Sequence, residues 1–465
     1  MKTLNLVDEK QSTTKTILML AWPTILEQIL LTFVNYVDTA MVGSLGAVAT
    51  AAVSINSSTI WLVNGILSSV SIGFCVLVSK NIGAKNRDRA SVVANQGIFF
   101  AISISLLIYI LMQFVGPKLP ELLKADKSIY KGARDYIKWI SLALLFQGLF
   151  IIISGIFRAV GNTKLPFFVN VINNLMNVFL NYLLIFPSKT IKVFSLTFAV
   201  KRANLGVEGA AIATFISIAL STIFIIFILI KDKSLGLNIK VVNPFNLNWD
   251  INKKAVILAL PNALERISLT VGQIFLTAIV ASISTTALAA HYLAIQAESI
   301  TYMPTFGFAS AATTLVAQAL GARKVNLAKK FAKSSIFLGT LTMSIAGIFL
   351  YIFSTQLVGF FTNDEQVVLL GSTLLRIVAV CEPFFGMTMM VFGVLRGAGD
   401  TKRPFFISII GMWVIRLPLA YFLVNYSEYG LNGAWIAMTI DLIIRGIISF
   451  AIFKRGNFYK QIDII

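Results

Sequence analysis

The stretch QILLTFVNYVDTAMVGSLGAVATAAVSINSSTIWLVNGILSSVSIGFCVLVS, Gln28 to Ser79, carries one charged side chain in 52 residues, and that residue is Asp38. A helix rises about 1.5 Å per residue, so some twenty apolar residues cross a bilayer's hydrocarbon core of roughly 30 Å. The stretch is long enough to hold most of two such crossings. An Asp at mid-span costs on the order of 2.5 to 3.5 kcal/mol on insertion scales, so an acid kept there faces a polar interior and does work. Asp38 is therefore the residue from which the rest of the chain is read.

Composition agrees with that reading. The 465 residues are 57% hydrophobic and 13% charged, whereas soluble domains carry about 25% charge. The chain is an integral membrane protein. Its net charge of +19 does not imply nucleic acid, because the Lys and Arg residues fall at the ends of apolar runs rather than on one accessible face. Cys75 and Cys381 lie inside apolar runs and read as inert small hydrophobes. The polar segment Met1 to Lys15 passes into the first run without a small-residue cleavage site, so that run is expected to be a retained span.

Apolar runs bounded by charge or by Gly and Pro clusters fall at 17–42, 50–79, 92–116, 137–157, 165–187, 208–230, 255–281, 287–318, 332–355, 368–394, 405–424 and 431–453. Each of the twelve reads as a transmembrane helix. With both termini in the cytoplasm, the inner segments hold 25 basic residues and the outer ones ten, so the positive-inside bias sets that orientation in a plasma (inner) membrane. An internal repeat runs at an offset of 238. Pro23-Thr24-Ile25-Leu26-Glu27 faces Pro261-Asn262-Ala263-Leu264-Glu265, Gly83-Ala84-Lys85 faces Gly321-Ala322-Arg323, and Arg158 to Phe168 faces Arg396 to Phe406. The expected architecture is thus all-α: an N-terminal six-helix lobe (1–230), a polar cytoplasmic connector (231–254) and a C-terminal six-helix lobe (255–465). Six spans is an even number, so the copies enter the membrane in the same sense, as in transporters built from parallel repeats.

The patterns Trp22-Pro23, Val37-Asp38-Thr39 and Val42-Gly43, the loop Gly83-Ala84-Lys85-Asn86 with its partner Gly321-Ala322-Arg323-Lys324, and the paired Arg158-Ala159-Val160-Gly161-Asn162-Thr163 and Leu395-Arg396-Gly397-Ala398-Gly399-Asp400-Thr401 resemble the multidrug and toxic compound extrusion (MATE) family over nearly the whole chain. The resemblance implies a pair of six-helix lobes that export amphipathic, often cationic compounds by alternating access, driven by inward Na+ or H+, with no other cofactor. It further implies an N-lobe cation site, which by matching motif falls on Asp38, Asn177, Asn181 and Thr214. Many members have Asp where this chain has Asn181, and an amide offers one neutral oxygen in place of two charged ones. A family branch with a C-lobe cation site uses a Glu that matches Glu265; the acid that accompanies it aligns with Phe385, and Glu382, one turn earlier, is the candidate to replace it. Na+ is accordingly expected at Asp38 or at Glu265. The chain is expected to act as a monomer on small amphipathic or cationic substrates.

Residue patterns alone add further candidates. Asn170, Asn174, Asn177 and Asn181 fall at helical spacing and form one polar stripe, which in lipid must turn inward; interhelical hydrogen bonding and a cation path are both open readings. Glu27 lies eleven residues before Asp38, on the same face and about 16 Å nearer the cytoplasm, so a polar track competes with snorkelling at the inner boundary. Glu265, Arg266, Glu298, Glu382, Arg416, Asp441 and Arg445 lie within spans of the second half, where an ion-pair network competes with a cation site. His291, the single histidine, is expected to make a helix-end hydrogen bond, with pH sensing as the alternative. Tyr36 and Trp61 are candidates for stacking on a cationic substrate.

Other functional classes fit less well. A flippase for a lipid-linked precursor calls for a strongly basic cavity, whereas the span-embedded bases here are few and balanced by acids. A polytopic membrane enzyme calls for a cluster of His, Asp or Cys at a membrane edge. The sequence has no zinc signature, nucleophile elbow or CxxC, and Gly399-Asp400-Thr401-Lys402 lacks phosphate-loop spacing.

Overall fold

Lipid offers no partner for a backbone N–H or C=O, so each apolar run closes its hydrogen bonds within a helix. The computed structural model describes residues 6–123, 125–193, 196–200, 203–232, 235–239, 248–456 and 459. The first half comprises α1 (Thr13–Gly43), α2 (Ala47–Gly83), α3 (Arg87–Val115), the single turn α4 (Leu119–Leu122), α5 (Tyr130–Ala159), α6 (Lys164–Leu184) and α7 (Gly206–Lys231). The second half comprises α8 (Trp249–Ala281), α9 (Thr285–Gly321), α10 (Val325–Gly359), α11 (Glu365–Ala379), α12 (Glu382–Gly397), α13 (Lys402–Ile409), a π-helical turn Ile410–Arg416, α14 (Leu417–Asn425) and α15 (Gly430–Lys454). Between α6 and α7 an antiparallel hairpin pairs β1 (Lys189–Val193) with β2 (Leu196–Val200); it occupies the one segment of the first half that has no counterpart of equal length in the second.

Among the described residues ten helices are long and apolar enough to cross a membrane, and α11 with α12, bent by 55°, makes an eleventh. The bend falls where Pro383 opens α12, a position at which its missing N–H orphans no carbonyl. The twelfth run is α9, 37 residues long like α2 but less apolar because it carries His291, Gln296, Glu298 and several Thr residues. Leu417-Pro418 follows the π turn, and Pro418 needs no acceptor, so the preceding turn can widen.

The sequence repeat is a repeat of helix ends. Gly161 and Gly399 take φ of 88° and 90°, a region open to glycine at little cost. Asn162 N bonds Phe157 O at 2.9 Å and Asp400 N bonds Leu395 O at 2.8 Å, the reverse turn that ends a helix. The next helix starts at once, because Asn162 Oδ1 accepts from Leu165 N and Asp400 Oδ1 from Arg403 N, both at 3.2 Å. Lys85 and Arg323, also 238 apart, take φ of 59° and 57° and end α2 and α9 the same way.

The chain forms two compact units that do not follow its halves strictly. One takes Leu30–Cys75 and Arg87–Lys253; the other takes Leu4–Ile29, Val76–Asn86 and Lys254–Ile465. The start of α1 and the end of α2 thus pack with the second-half helices. In that unit the ends of α2 and α9 meet backbone to backbone: a Cβ at Gly83 would stand 1.9 Å from Gln318 O, and one at Gly321 2.0 Å from Lys80 O. The contact is reciprocal, since 318 and 321 are 80 and 83 shifted by 238. Gly393 and Gly397 of α12, one turn apart, rest on Ala309 and Thr313 of α9, and Thr313 Oγ1 donates to Gly393 O at 2.9 Å. Small residues let helices close on one another where lipid supplies no hydrophobic drive.

Candidate functional site

In the first unit α1, α6 and α7 converge on Asp38. Asn181 Nδ2 donates to Asp38 Oδ1 at 2.7 Å and lies 3.2 Å from Asn177 Oδ1. In the amide orientation that satisfies both of its ends, Asn177 Nδ2 lies 3.1 and 3.2 Å from the two Asp38 oxygens while its Oδ1 accepts from Thr214 Oγ1 at 3.2 Å. Thr214 Oγ1 also reaches Ala210 O at 3.0 Å. Asn174, Asn177 and Asn181 are buried, Asn181 at 1% exposure, because their spacing on α6 turns the amide stripe into the bundle; Asn170, half-buried, ends it. Two amide atoms of the stripe, Asn181 Oδ1 and Asn174 Nδ2, are buried without a hydrogen-bond partner. The structure therefore brings together the four residues that the motif match selected. It adds Tyr136 of α5, which lies within Coulombic reach of Asp38 and sits just outside an apolar run, where nothing in the sequence marks it. A carboxylate that accepts from amide nitrogens, with the Asn181 oxygen idle and amides that can turn to present oxygen, is a set suited to a proton or a hard monovalent cation.

Glu27 is buried in the second unit, while α1 passes to the first unit at Leu30; Asp38 and Glu27 thus belong to different packing environments of one helix. Beside Glu27, Thr24 Oγ1 donates to Ala21 O at 2.8 Å and reaches Gly307 O at 3.4 Å.

Two clusters of ionisable groups lie within the helices of the second unit. In the first, Arg396 Nη2 donates to Glu265 Oε2 at 2.9 Å and Ser408 Oγ to Glu265 Oε1 at 2.9 Å, with Arg396 also 5.8 Å from the Phe392 ring centroid. Both oxygens of Glu265 are engaged. Arg396 counts by topology among cytoplasmic bases, yet it is buried at the end of α12, so Glu265 has a partner that hydropathy concealed. In the second cluster Asp441 accepts from Arg416 Nε at 2.8 Å, from Arg445 Nε at 2.6 Å and from Arg445 Nη2 at 2.5 Å. The π turn sets Gly411 against this pair, where a Cβ would stand 2.2 Å from Asp441 Oδ1. Glu298 lies within Coulombic reach of Arg416 and of Glu382, and buried Glu382 Oε1 has no hydrogen-bond partner. Glu382 thus lies within electrostatic reach of Glu298, and among the described residues the hydrogen bonds of Glu265 go to Arg396 and Ser408.

His291, seven residues into α9, accepts at Nδ1 from Trp435 Nε1 at 3.0 Å; its partner is a neighbouring helix rather than a helix end. Cys75 and Cys381 are buried thiols. Tyr36 is half-buried and Trp61 exposed.

The MatE family model matches residues 23–183 and 261–422, more than half of the chain, in two blocks whose starts are 238 apart. The "Probable multidrug resistance protein NorM" of Thermotoga maritima is 28% identical, covering 96% of this chain and 93% of that protein. The "Uncharacterized transporter YisQ" of Bacillus subtilis is 26% identical, covering 93% and 92%. A crystal structure of MATE in complex with MaD3S superposes with a TM-score of 0.90 at 21% identity, covering 99% of both chains. The outward-facing conformation of a multidrug resistance MATE family transporter of the MOP superfamily gives 0.90 at 21%, covering 100% and 99%. These structures share the fold, and with the family model matching both halves, the chain belongs to the MatE family of multi-pass membrane transporters.

Proposed function

We propose that the chain is a cation-coupled antiporter that exports amphipathic organic compounds by alternating access, with Asp38, Asn177, Asn181 and Thr214 holding the driving Na+ or H+. The observation that carries this reading is the 2.7 Å bond from Asn181 to Asp38 beside the unpartnered Asn181 Oδ1. A charge in a low-dielectric bundle needs compensation, and here the amides provide it reversibly. Towards a bare carboxylate, Asn177 presents nitrogen; towards a cation or a protonated Asp38, the same amide turned over presents oxygen. Ion occupancy then selects between two hydrogen-bonded arrangements of α1 and α6. A ligand shifts such an equilibrium only by its differential affinity for the two states, so the ion must bind the outward-facing state better than the state that holds cargo. The names of the relatives, a multidrug resistance protein among them, support drug-like cargo, and the intramembrane acids support cationic members of that class.

A second reading rests on Glu382 and Glu298. Two carboxyl groups within electrostatic reach of each other in a bundle interior are a place where one proton can be held, and Glu382 Oε1 has no hydrogen-bond partner. One measurement separates the readings: efflux of a fluorescent cation from vesicles under imposed Na+ and pH gradients. Coupling through the first unit predicts near-abolished, gradient-independent efflux for Asp38→Asn and gradient-dependent efflux for Glu382→Gln. The reverse pattern moves coupling to the second unit.

A further inference from the structure

Arg266 is left over from every network described above. It is the eighteenth residue of the 33-residue α8, about 25 Å along the helix from its start, too deep for its side chain to reach water at either membrane face. Its neighbour Glu265 is fully engaged by Arg396 and Ser408. In the other cluster Asp441 belongs to Arg416 and Arg445, and neither Glu298 nor Glu382 is among the Coulombic neighbours of Arg266. Among the described residues no carboxylate pairs with Arg266, and none of its guanidinium N–H groups finds an acceptor.

The side chain nonetheless lies on the protein side of α8. Its guanidinium stands over the Phe306 ring, 5.5 Å from the centroid, and Glu265, Arg396 and Tyr302 are its Coulombic neighbours. It is exposed. The aromatic surroundings are themselves ordered: Tyr302 meets Phe306 edge to face at 6.3 Å and Phe385 of α12 at 5.9 Å. A guanidinium stacked on a ring keeps its in-plane N–H fork free, and that fork matches a carboxylate bidentately. Glu265, Arg396 and Arg266 together carry a net charge of +1, which at membrane depth calls for an anion.

We propose that Arg266, with Phe306, Tyr302 and Phe385, forms a substrate subsite for aromatic amphiphiles bearing a carboxylate, zwitterions included. The carboxylate supplies the counter-charge the protein lacks, and the substrate's ring adds to the row of aromatic faces. The subsite rests on the reading of the chain as an exporter of amphipathic compounds and widens its cargo beyond cations.

The test is a calorimetric titration of the purified full-length protein in phosphatidylcholine nanodiscs with two probes of one shape and opposite charge, 1-naphthoate and 1-naphthylmethylammonium, against empty nanodiscs. The wild type is expected to bind the naphthoate at least about tenfold more tightly than the ammonium, the discrimination a charge-assisted bidentate pair provides. Arg266→Gln should lose that margin, Arg266→Lys should keep part of it, and ammonium binding should not weaken in either. Wild-type protein that binds naphthoate no better than the ammonium overturns the proposal without recourse to any variant, and so does folded Arg266→Gln that binds naphthoate as the wild type does. The titration uses no ion gradient, so its failure leaves coupling at Asp38 standing, and a failure of coupling leaves the titration unaffected.

Discussion

Replacing Asp441 by Asn removes the carboxylate that hydrogen-bonds two buried guanidinium groups. Asp441 is 0% exposed and Arg416 and Arg445 are 7% and 6% exposed, so water cannot take over for the lost carboxylate. Three bonds of 2.5 to 2.8 Å are weakened together, and two like charges are left side by side. Breaking a buried pair by altering one partner costs about 3 to 5 kcal/mol, or roughly two to three and a half orders of magnitude in the unfolding equilibrium. Removing the whole triad, as Asp441→Leu with Arg416→Met and Arg445→Leu, takes the desolvation cost away along with the attraction and should return most of that loss. The assay is reversible unfolding by SDS in mixed micelles, followed by tryptophan fluorescence. Asp441→Asn within about 1 kcal/mol of wild type, or a triple variant weaker than the single one, would refute a triad held by charge compensation.

The same unfolding assay tests Glu265→Gln, which leaves Arg396 buried without its acid and should cost about 3 kcal/mol or more; a loss of transport with unchanged stability would instead assign Glu265 to coupling. Gly83→Ala should cost about 1 to 3 kcal/mol by forcing α2 from Gln318, whereas Gly43→Ala, with nothing within 4 Å of the added Cβ, should cost far less; equal losses would dispose of the crossing. For topology, single cysteines at Asn86 and Lys127 can be probed from outside with an impermeant thiol reagent, Cys75 and Cys381 being buried. Labelling at 127 and not at 86 is expected, and the opposite pattern would invert the orientation.

Hydropathy made the spans legible because lipid leaves a helix as the only solution for an apolar run, and the 238-residue repeat made the paired turns at Gly161 and Gly399 legible because only a few residues tolerate their backbone. The bend between α11 and α12 and the π turn before Pro418 were hidden, since both depend on what packs opposite a proline rather than on the proline itself. In the first unit, polar residues in apolar helices have few places to go, and Asp38, Asn177, Asn181 and Thr214 could be grouped from motif and spacing. In the second unit seven ionisable residues admit many pairings. Arg396 closes one of them from outside the apolar runs, so hydropathy did not mark it as a partner of Glu265. Arg266 drew no separate attention there, because its lack of an acid is a property of packing that no spacing rule records.

A driving ion held at Asp38 is detected most directly by ion binding itself, without transport. Purified protein in nanodiscs is titrated with 22Na+ while proton release is followed in weakly buffered solution, for the wild type, Asp38→Asn and Glu382→Gln. One saturable cation site per chain is expected, seen as bound Na+ or as protons exchanged, that Asp38→Asn abolishes and Glu382→Gln retains. Saturable binding that survives unchanged in Asp38→Asn would contradict it.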